Sequence, residues 1–319
     1  MKRVDVSIHD SGCLLDKEQV ATIGFFDGVH LGHRYLISQL TPEDGQESLV
    51  VTLDRHPKML LHPETHPSVL SSLDVKMLLL SHTDVDNVAV LRFDDDMARL
   101  SARDFMSQVL RDRLNVRCLV LGYDNRFGRR KSSGNEGFAD YVAYGREVGI
   151  KVLRAQEWKN NGQRVSSSLI RSYLEDGNID RANSCLGYEY TVVGRVVRGY
   201  QEGRKIGFPT ANIDTSEWGQ MMPAAGVYAV RVRLKNAMSW RWGMMNIGTR
   251  PTYGGTEQTA EIHILDFKGD LYDDILLVKF VAKIREERAF ESHEALATQL
   301  QEDRRRIESF KVESGEFGV

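Results

Sequence analysis

Two histidines stand three positions apart in the glycine-rich segment Gly24-Phe-Phe-Asp-Gly-Val-His30-Leu-Gly-His33. Imidazole side chains can donate hydrogen bonds to phosphate oxygens as charge develops at phosphorus, and glycines let the backbone approach a ligand closely. An apolar run at residues 20–24 predicts a strand before the segment, and residues 33–40 predict a helix after it. The start of such a helix favours an anion, so the segment predicts a phosphate site. Paired histidines also occur at metal sites, and this alternative stays open.

Three later segments carry polar side chains that could complete such a site. Residues 52–57 read Thr-Leu-Asp-Arg-His-Pro, and residues 122–128 read Gly-Tyr-Asp-Asn-Arg-Phe-Gly. Residues 166–171 read Ser-Ser-Ser-Leu-Ile-Arg, where three hydroxyls and a guanidinium at a helix start could hold the phosphates of ATP. Taken alone, the last segment is also typical of a serine N-cap, and Asp124 is also typical of a turn.

Together these motifs resemble the FMN adenylyltransferase (FAD synthetase) branch of the nucleotidylyltransferase superfamily, whose signature includes Gly-x-Phe-Asp-Gly-x-His-x-Gly-His. The sequence departs from the family pattern at four positions. Leu53 and Asn125 stand where Phe is usual, Arg55 replaces Pro, and Ser168 replaces Thr.

The resemblance implies roles for particular residues of this sequence. His30 and His33 are the implied catalytic residues. The implied nucleotide or phosphate contacts are Gly24, Phe26, Asp27, Gly28, Gly32, Ser166, Ser167, Ser168 and Arg171. The implied flavin contacts are His56, Asp124 and Arg126.

A second glycine-rich, basic segment runs from Gly199 to Asn212 and ends in Gly-Phe-Pro-Thr-Ala-Asn. The chain has no Gly-x-x-x-x-Gly-Lys-Ser/Thr phosphate loop, so this segment is the candidate for a separate ATP site. Thr210 and Asn212 carry hard oxygen donors on one face of an extended chain, which suits Mg²⁺ that bridges ATP phosphates. Glu261 and His263 share a face of a later strand, and spacing alone favours a solvent-facing glutamate there.

The second segment resembles the riboflavin kinase family, for which Gly-Phe-Pro-Thr-Ala-Asn is characteristic. The resemblance continues at residues 223–228, 246–252, 261–266, 270–272 and 285–290. One departure is Asp273, where the family usually has Gly.

This second resemblance also implies roles. Glu261 is the implied base, which accepts the 5′-hydroxyl proton of riboflavin, while His263 is interpreted as an ordinary polar neighbour. Thr210 and Asn212 are implied Mg²⁺ ligands. The implied ATP contacts are Gly203, Lys205, Gly207 and Pro209. Arg285 and Glu287 are implied to be either flavin contacts or structural residues.

The elements that position these motifs differ between the two halves of the chain. Apolar runs at residues 20–24, 48–53, 87–91, 118–122 and 150–153 alternate with helical patterns, which predicts a parallel sheet covered on both faces. One of these helices is predicted to begin at Ser101 and to reach residue 114. Parallel sheets bind ligands beyond the carboxyl ends of their strands, where the first-half motifs lie.

After residue 186 the apolar runs follow one another without helices between them, which predicts an antiparallel barrel or sandwich. These runs lie at residues 190–197, 227–234, 240–246, 260–265 and 275–281, and a closing helix is predicted over residues 292–307. With both resemblances, we expect an α/β nucleotidylyltransferase-like domain at residues 1–186. We expect an antiparallel β-barrel domain with a closing helix at residues 187–319.

Composition restricts the classes of partner. Lys and Arg number 42 against 45 Asp and Glu, and the formal net charge of -3 gives no overall attraction to nucleic acid or to an anionic membrane. The first ten residues lack the apolar core of a signal peptide, and no apolar run approaches the roughly 20 residues that span a bilayer. The 3 cysteines fit neither a disulfide framework nor a zinc site. These features predict a soluble cytoplasmic protein, and the two family resemblances imply small-molecule substrates.

The combined hypothesis is a bifunctional enzyme. The second domain would phosphorylate riboflavin with Mg-ATP to FMN and ADP, and the first would transfer AMP from another ATP to FMN, giving FAD and pyrophosphate. FMN brings its own nucleophile, so the first domain needs positioning and charge stabilisation more than a base. One alternative is an adenylyltransferase for another phosphorylated cofactor, such as phosphopantetheine, against which the kinase motif argues. The other is a flavin-binding or regulatory protein without turnover, against which the intact candidate residues argue.

Overall fold

The computed structural model of the chain describes residues 1–61, 67–123, 125–129, 136–160, 162–199, 203, 207–234, 237–252 and 255–313. Two predicted site residues, Asp124 and Lys205, lie outside the described residues. Contacts between residues divide the chain into two units, Met1–Ser166 and Ser167–Val319. Among the described ranges, no helix combines the length and the apolar character needed to cross a membrane.

The first unit contains one large sheet and six helices in its described part. The strands are β1 (Lys2–Val6), β2 (Glu18–Ile23), β3 (Gln46–Leu53), β4 (Asn87–Leu91), β5 (Val116–Leu121) and β6 (Lys151–Arg154). The helices are α1 (Leu31–Ile37), α2 (Pro57–Leu61), α3 (Leu73–Leu80), α4 (Asp95–Arg99), α5 (Ala102–Asp104) and α6 (Phe138–Val148). A short hairpin follows, made of β7 (Lys159–Asn160) and β8 (Gln163–Arg164).

The sheet has the order β1-β4-β3-β2-β5-β6, and every neighbouring pair is parallel. All five residues of β4 are buried, as are the last five of β2. Strands buried in this way need cover on both faces, which explains their near-continuous apolar sequences. The predicted parallel α/β sheet is therefore confirmed.

The strand order determines where a ligand can bind. β2 lies between β3 and β5: the chain leaves β2 to form β3 and β4 on one side, then crosses to form β5 on the other. Connections that diverge from neighbouring parallel strands leave a crevice at the carboxyl ends of those strands. Residues 24–33, which we name the histidine turn, follow β2, and residues 122–128 follow β5. Both motifs therefore lie beside this crevice.

One helix of this unit differs from the prediction. Ser101 does cap a helix, since its Oγ accepts the Asp104 N–H at 3.1 Å. From Phe105 to Arg111, however, the backbone is a π-helix rather than an α-helix. The π-helix has a wider turn with i→i+5 bonds, and four of its seven residues are buried.

The second unit is a closed antiparallel barrel with three α-helices among its described residues. The strands are β9 (Thr191–Val197), β10 (Ala211–Asp214), β11 (Gly226–Leu234), β12 (Arg241–Thr252), β13 (Gly255–Ile264) and β14 (Ile275–Arg285). The helices are α7 (Ser167–Glu175), α8 (Ile179–Leu186) and α9 (His293–Glu313), with a 3₁₀ turn at Ser216–Trp218. The barrel order is β10-β13-β12-β11-β14-β9, closed between β9 and β10. Of the two predicted alternatives, the second unit is therefore a barrel and not a sandwich.

Helices α7 and α8 contact the barrel. The Ala224 N–H donates to the Leu174 carbonyl at 2.9 Å, and Asn183 Nδ2 donates to the Phe280 carbonyl at 3.0 Å. The two helices accordingly fall in the second unit. The boundary after residue 186 stays a prediction.

The closing helix α9 is fastened to the barrel by apolar packing and by two ion pairs of different exposure. Ile307 is buried in a cluster that includes Trp242 of β12. Asp303 accepts from Arg285 at 2.9 Å, and its side chain is 2% exposed. Arg304 pairs with Asp266 at 2.8 Å, but that carboxylate is 66% exposed. The buried pair should therefore contribute far more to docking of the helix.

We expect Asp303→Asn to lower the free energy of unfolding of this unit by about 3 kcal/mol, because Arg285 loses the counter-charge of its buried pair. The matched control is Asp266→Asn, which weakens the exposed pair and should cost less than about 1 kcal/mol. Hydrogen exchange of α9 amides in increasing urea measures both losses. Equal losses in the two variants would contradict this account.

Candidate active sites

The histidine turn has an uncommon backbone conformation. The φ angles are 51° at Phe26, 78° at Gly28 and 37° at Val29. Glycine adopts such values freely, whereas a non-glycine residue held there costs about 1–3 kcal/mol. The Val29 N–H donates to the Phe26 carbonyl at 3.1 Å and closes the turn. Strain of this kind persists only where the surroundings fix it, and it is common at functional sites.

The side chain of Asp27 fixes the turn from one side. Its Oδ1 accepts the N–H groups of Leu70 and Ser71 at 2.8 and 3.1 Å, and Asp27 is 3% exposed. The Gly28 N–H donates to the Ser71 Oγ at 3.0 Å. The structure therefore places Asp27, an implied nucleotide contact, in hydrogen bonds to the protein backbone.

The two histidines form a stacked pair, with ring centroids 3.6 Å apart. His30 Nδ1 accepts the His33 N–H at 3.3 Å and caps α1, so a neutral His30 carries its proton on Nε2. Burial, with smaller effects from His30 and Lys76, holds the pKa of His33 well below its ordinary value. His33 is therefore neutral near pH 7 and can donate a hydrogen bond without bringing formal charge.

His33 also has an unused polar atom. Its Nδ1 is buried, and no described residue offers it a hydrogen-bond partner. A buried polar atom without a partner is costly, so it indicates a missing ligand. A Cβ at Gly32 would lie 3.3 Å from the His30 ring and 3.5 Å from the Val165 carbonyl oxygen. Val165 therefore lies beside the turn, close to Gly32.

The end of β3 supports the turn from its other side. The Gly24 N–H donates to the Val51 carbonyl at 3.0 Å, and Thr52 Oγ1 donates to the Phe25 carbonyl at 3.1 Å. The His56 ring meets the Phe25 ring edge to face, with centroids 4.9 Å apart. His56, an implied flavin contact, is therefore brought to the histidine turn.

A lysine lies beneath this junction. Lys76 of α3 is 1% exposed. Its Nζ donates to Thr52 Oγ1 and to the Leu53 carbonyl, both at 3.3 Å, and lies 4.0 Å from the centroid of the Phe25 ring. Three neutral groups thus surround the ammonium.

Burial lowers the pKa of Lys76 to about 8, although the nearby carboxylates of Asp27 and Asp54 oppose this shift. These two carboxylates therefore compensate part of the cost of burying the charge, and burial still has the larger effect on the pKa.

A cavity of about 430 Å³ opens after β5. It is lined by Leu121, Gly122, Tyr123, Asn125, Arg126, Glu136, Gly137, Phe138, Tyr141 and Arg154. Arg126, an implied flavin contact, is exposed at this cavity. The Phe127 and Tyr141 rings stack with centroids 4.6 Å apart. The volume and the aromatic lining suit a planar ligand.

Asn125, which departs from the family pattern, has a contact that Phe could not make. Its Nδ2 donates to the carbonyl of Ile23, the last residue of β2. The segment after β5 is thereby tied to the strand that carries the histidine turn. Asn125 therefore provides a hydrogen bond across the crevice at a position where the family usually has the ring of Phe.

The serine-rich segment opens a helix, as predicted. Ser166 precedes α7, and the helix begins at Ser167. Ser168 is exposed, while Arg171 is half-buried in the following turn. The proposed phosphate contacts of this segment stay a prediction.

In the second unit the barrel brings two distant motifs together. The register places Asn212 of β10 and Asn246 of β12 opposite Glu261 of β13, one on each side. Thr210 Oγ1 donates to Glu261 Oε2 at 3.2 Å. The predicted base and the two predicted Mg²⁺ ligands therefore lie in one cluster.

The donors of this cluster fit a hard cation. Thr210 supplies a hydroxyl and Asn212 an amide oxygen beside the carboxylate of Glu261. No group of three or more His, Cys, Asp or Glu side chains in the described ranges could hold a metal. A cation at this cluster would consequently rely on neutral oxygens and on the phosphates of a nucleotide.

The glycine-rich segment approaches this cluster closely. A Cβ at Gly199 would lie 1.9 Å from Asn212 Nδ2, so a side chain there would displace the Asn212 amide. A Cβ at Gly203 would lie 2.2 Å from the Phe208 carbonyl oxygen. Gly207 has a φ of 83°, which is the left-handed region. A close backbone contact thus favours glycine at position 203, and a left-handed backbone conformation favours glycine at position 207.

His263 ties the glycine-rich segment to the strand of the base. Its Nδ1 donates to the Pro209 carbonyl at 2.9 Å, and its ring meets the Phe208 ring at 5.2 Å. Burial lowers the pKa of His263 while the Pro209 carbonyl opposes that shift. His263 is therefore a buried link beside Thr210 and not an ordinary polar neighbour.

A cavity of about 560 Å³ adjoins the cluster. Its lining includes Pro209, Thr210, Ile262, Phe267 and Tyr272. Apolar side chains line a space of this size next to the hard oxygen donor of Thr210. It can hold the ring system of a substrate whose polar end lies at the cluster.

Arg285 and Glu287 fall in different environments. Arg285 is engaged by Asp303, as described above, which favours the structural alternative for this residue. Glu287 lies against the barrel, since a Cβ at Gly248 would lie 2.4 Å from its Oε1. A flavin contact of either residue stays a prediction.

Comparison with known proteins covers both units. The family model described as riboflavin kinase matches residues 186–311, and that described as FAD synthetase matches residues 14–169. A bifunctional riboflavin kinase/FMN adenylyltransferase of Escherichia coli (strain K12) is 39% identical over 93% of this chain and 94% of its own length. One of Haemophilus influenzae is 37% identical over 92% of each. The chain belongs to the bifunctional riboflavin kinase/FMN adenylyltransferase family.

A solved structure shares the fold of this family member. The crystal structure named Macrolide-efflux Protein from Streptococcus pneumoniae has a TM-score of 0.84 and 28% identity, and it covers 96% of this chain and 98% of that one. The activity in that name differs from the descriptions of both family models. The likeness nevertheless extends the match to nearly the whole chain.

The structure explains one departure from the family pattern. Asp273, which replaces the usual Gly, has a φ of 66°. Aspartate is one of the few residues that visit this region routinely. The Asp273 N–H donates to the Val196 carbonyl at 3.0 Å, and Arg195 donates to the Asp273 carbonyl at 3.2 Å. The turn is thus kept, at some conformational cost.

We expect Lys76→Met to remove a pH dependence of stability from the first unit. The pKa of Lys76 is about 8 in the folded chain against 10.5 as its ordinary value. Below pH 8 both states bind the proton, and the buried charge costs about 3 kcal/mol. Between the two values the unfolded chain binds more protons, so wild-type stability rises with pH.

The Met variant has no group to titrate at this position, so its stability relative to wild type should fall as pH is raised from 7 to 10. Hydrogen exchange of β2 and β3 amides in urea, compared between the two chains at each pH, measures this difference. A difference that stays constant over the range would contradict the assignment.

Proposed function

We propose that this chain makes FAD from riboflavin in two steps, with FMN as the intermediate. The relatives named above carry both activities in their names, and both family models match. The observation that carries the proposal is that each unit assembles its own phosphate-handling cluster from distant motifs. The stacked histidines lie in one unit, and the contact between Thr210 and Glu261 lies in the other. We assign adenylylation to residues 1–186 and phosphorylation to residues 187–319.

In the first step Glu261 acts as the general base. It accepts the proton of the riboflavin 5′-hydroxyl while that oxygen attacks the γ-phosphorus of ATP, and ADP leaves. Thr210 and Asn212 would hold Mg²⁺, which would neutralise phosphate charge. The hydrogen bond from Thr210 keeps the carboxylate of Glu261 beside these donors. Gly203, Gly207 and Pro209 shape the backbone that passes the phosphates.

In the second step a phosphate oxygen of FMN attacks the α-phosphorus of ATP, and pyrophosphate leaves. His30 and His33 donate hydrogen bonds to phosphate oxygens as charge develops. Ser166, Ser167, Ser168 and Arg171 contribute further phosphate contacts, and the cavity that Arg126 lines accepts the flavin. No side chain has to act as nucleophile, because FMN is already ionised.

Purified protein incubated with riboflavin, Mg²⁺ and ATP should form FMN first and FAD later, as separated by chromatography. Supplied FMN should yield FAD directly. Binding of flavin without either product would favour the regulatory alternative. Adenylylation of phosphopantetheine in preference to FMN would favour the alternative of an adenylyltransferase for another phosphorylated cofactor.

We expect His33→Ala to lower FAD formation from FMN by roughly 100-fold, since it removes a phosphate contact made in the transition state. FMN formation from riboflavin in the same preparation serves as the internal control and should stay within twofold of wild type. His30→Ala should behave in the same way. Retention of FAD synthesis within a few-fold in both variants would remove the histidine turn from the reaction.

Glu261→Gln keeps the size of the side chain and its contact with Thr210 but removes the basic carboxylate. The rate of FMN formation should fall by roughly 100-fold or more, within the range that general bases contribute. FAD synthesis from supplied FMN should be unchanged. The opposite pattern, with adenylylation lost and phosphorylation intact, would refute both the role of Glu261 and the assignment of the two units.

A further inference from the structure

His33 of the histidine turn faces the proposed phosphates as a neutral ring. His30 is engaged through Nδ1 as a cap acceptor, and burial keeps the pKa of His33 low. Yet the proposed reaction brings together the triphosphate of ATP and the phosphate of FMN. Fixed positive charge near such anions stabilises them, most effectively where water is excluded.

A positive charge is available directly under the turn. Lys76 is 1% exposed, and its ammonium contacts the Phe25 ring, Thr52 Oγ1 and the Leu53 carbonyl at 3.3 to 4.0 Å. Thr52 Oγ1 in turn donates to the Phe25 carbonyl, so the Thr52 side chain joins the end of β3 to the segment that follows β2. A leucine or methionine would fill the same volume without the cost of a buried charge. A lysine at this buried position is explained if its positive charge contributes to the reaction.

We propose that Lys76 is a positioning residue of FMN adenylylation, which fixes the Phe25 side of the histidine turn and supplies buried positive charge near the neutral His33. The inference rests on the proposed function of the first unit. Lys76 contacts no substrate in this scheme, since its side chain is enclosed by the protein.

The charge state of Lys76 should then control the reaction. The carboxylates of Asp27 in the histidine turn and Asp54 after β3 raise the pKa of Lys76. The Lys76 ammonium in turn lowers the pKa of His33 in α1. Its pKa of about 8 means that the ammonium is present at pH 7 and is lost as pH rises through 8. Bound ATP would favour the charged form. FAD formation should therefore decline as pH rises. The decline in kcat/KM, which reports the free enzyme, should lie near pH 8, and the decline in kcat should lie at a higher pH.

The test is the pH profile of FAD formation from supplied FMN between pH 6.5 and 9.5, in the full chain. Wild type, Lys76→Met and a control, Lys151→Met, are compared; Lys151 is an exposed lysine at the start of β6. We expect Lys76→Met to lower kcat/KM for ATP at pH 7 by at least about tenfold. Its remaining activity should lack the decline near pH 8, whereas Lys151→Met should keep the wild-type profile.

Riboflavin phosphorylation by the other unit and hydrogen exchange of β2 and β3 amides are measured on the same samples. They show whether Lys76→Met is folded. A folded variant with kcat/KM within twofold of wild type, or with the same decline near pH 8, would overturn the role of Lys76. A wild-type chain that forms no FAD at any pH would instead overturn the proposed function of the unit.

Discussion

The buried carboxylate of Asp27 is the interaction on which the first site depends. It accepts two backbone N–H groups from residues 70–71, and this holds the histidine turn in a conformation that its own sequence disfavours. With the turn fixed, His30 can cap α1 and stack on His33. The rings are then arranged before a ligand arrives, so binding does not have to order them. A short acidic side chain thus fixes the position of two histidines through its hydrogen bonds to the backbone.

The two units meet different electrostatic demands. In the barrel, the carboxylate of Glu261 lies beside the hydroxyl of Thr210 and opposite Asn212 in the register. In the sheet unit, the neutral His33 lies near the enclosed ammonium of Lys76. Under the proposed function, the first arrangement suits removal of a proton from a hydroxyl, and the second suits stabilisation of phosphate anions.

Much of this arrangement could be predicted from the sequence, and the failures have physical causes. β4 was predicted to the residue because it is a fully buried run between polar residues. Glu261 and Thr210 could be paired only through the family resemblance, since barrel register is not visible in local spacing. Lys76 could not be found at all: a lysine within Leu-Asp-Val-Lys-Met-Leu-Leu-Leu is ordinary for a surface helix, and only tertiary packing buries it. The Asp303 partner of Arg285 lies on another element and was equally hidden.

The close approach at Gly199 has a consequence for how sequence variants of this protein are interpreted. Residue 199 has no side chain, yet a side chain placed there would collide with the amide of Asn212. A substitution at position 199 would therefore displace Asn212, which pairs with Glu261 in the barrel register. Its effect would be exerted at the cluster of Thr210, Asn212 and Glu261, at a distance along the chain from the substituted residue.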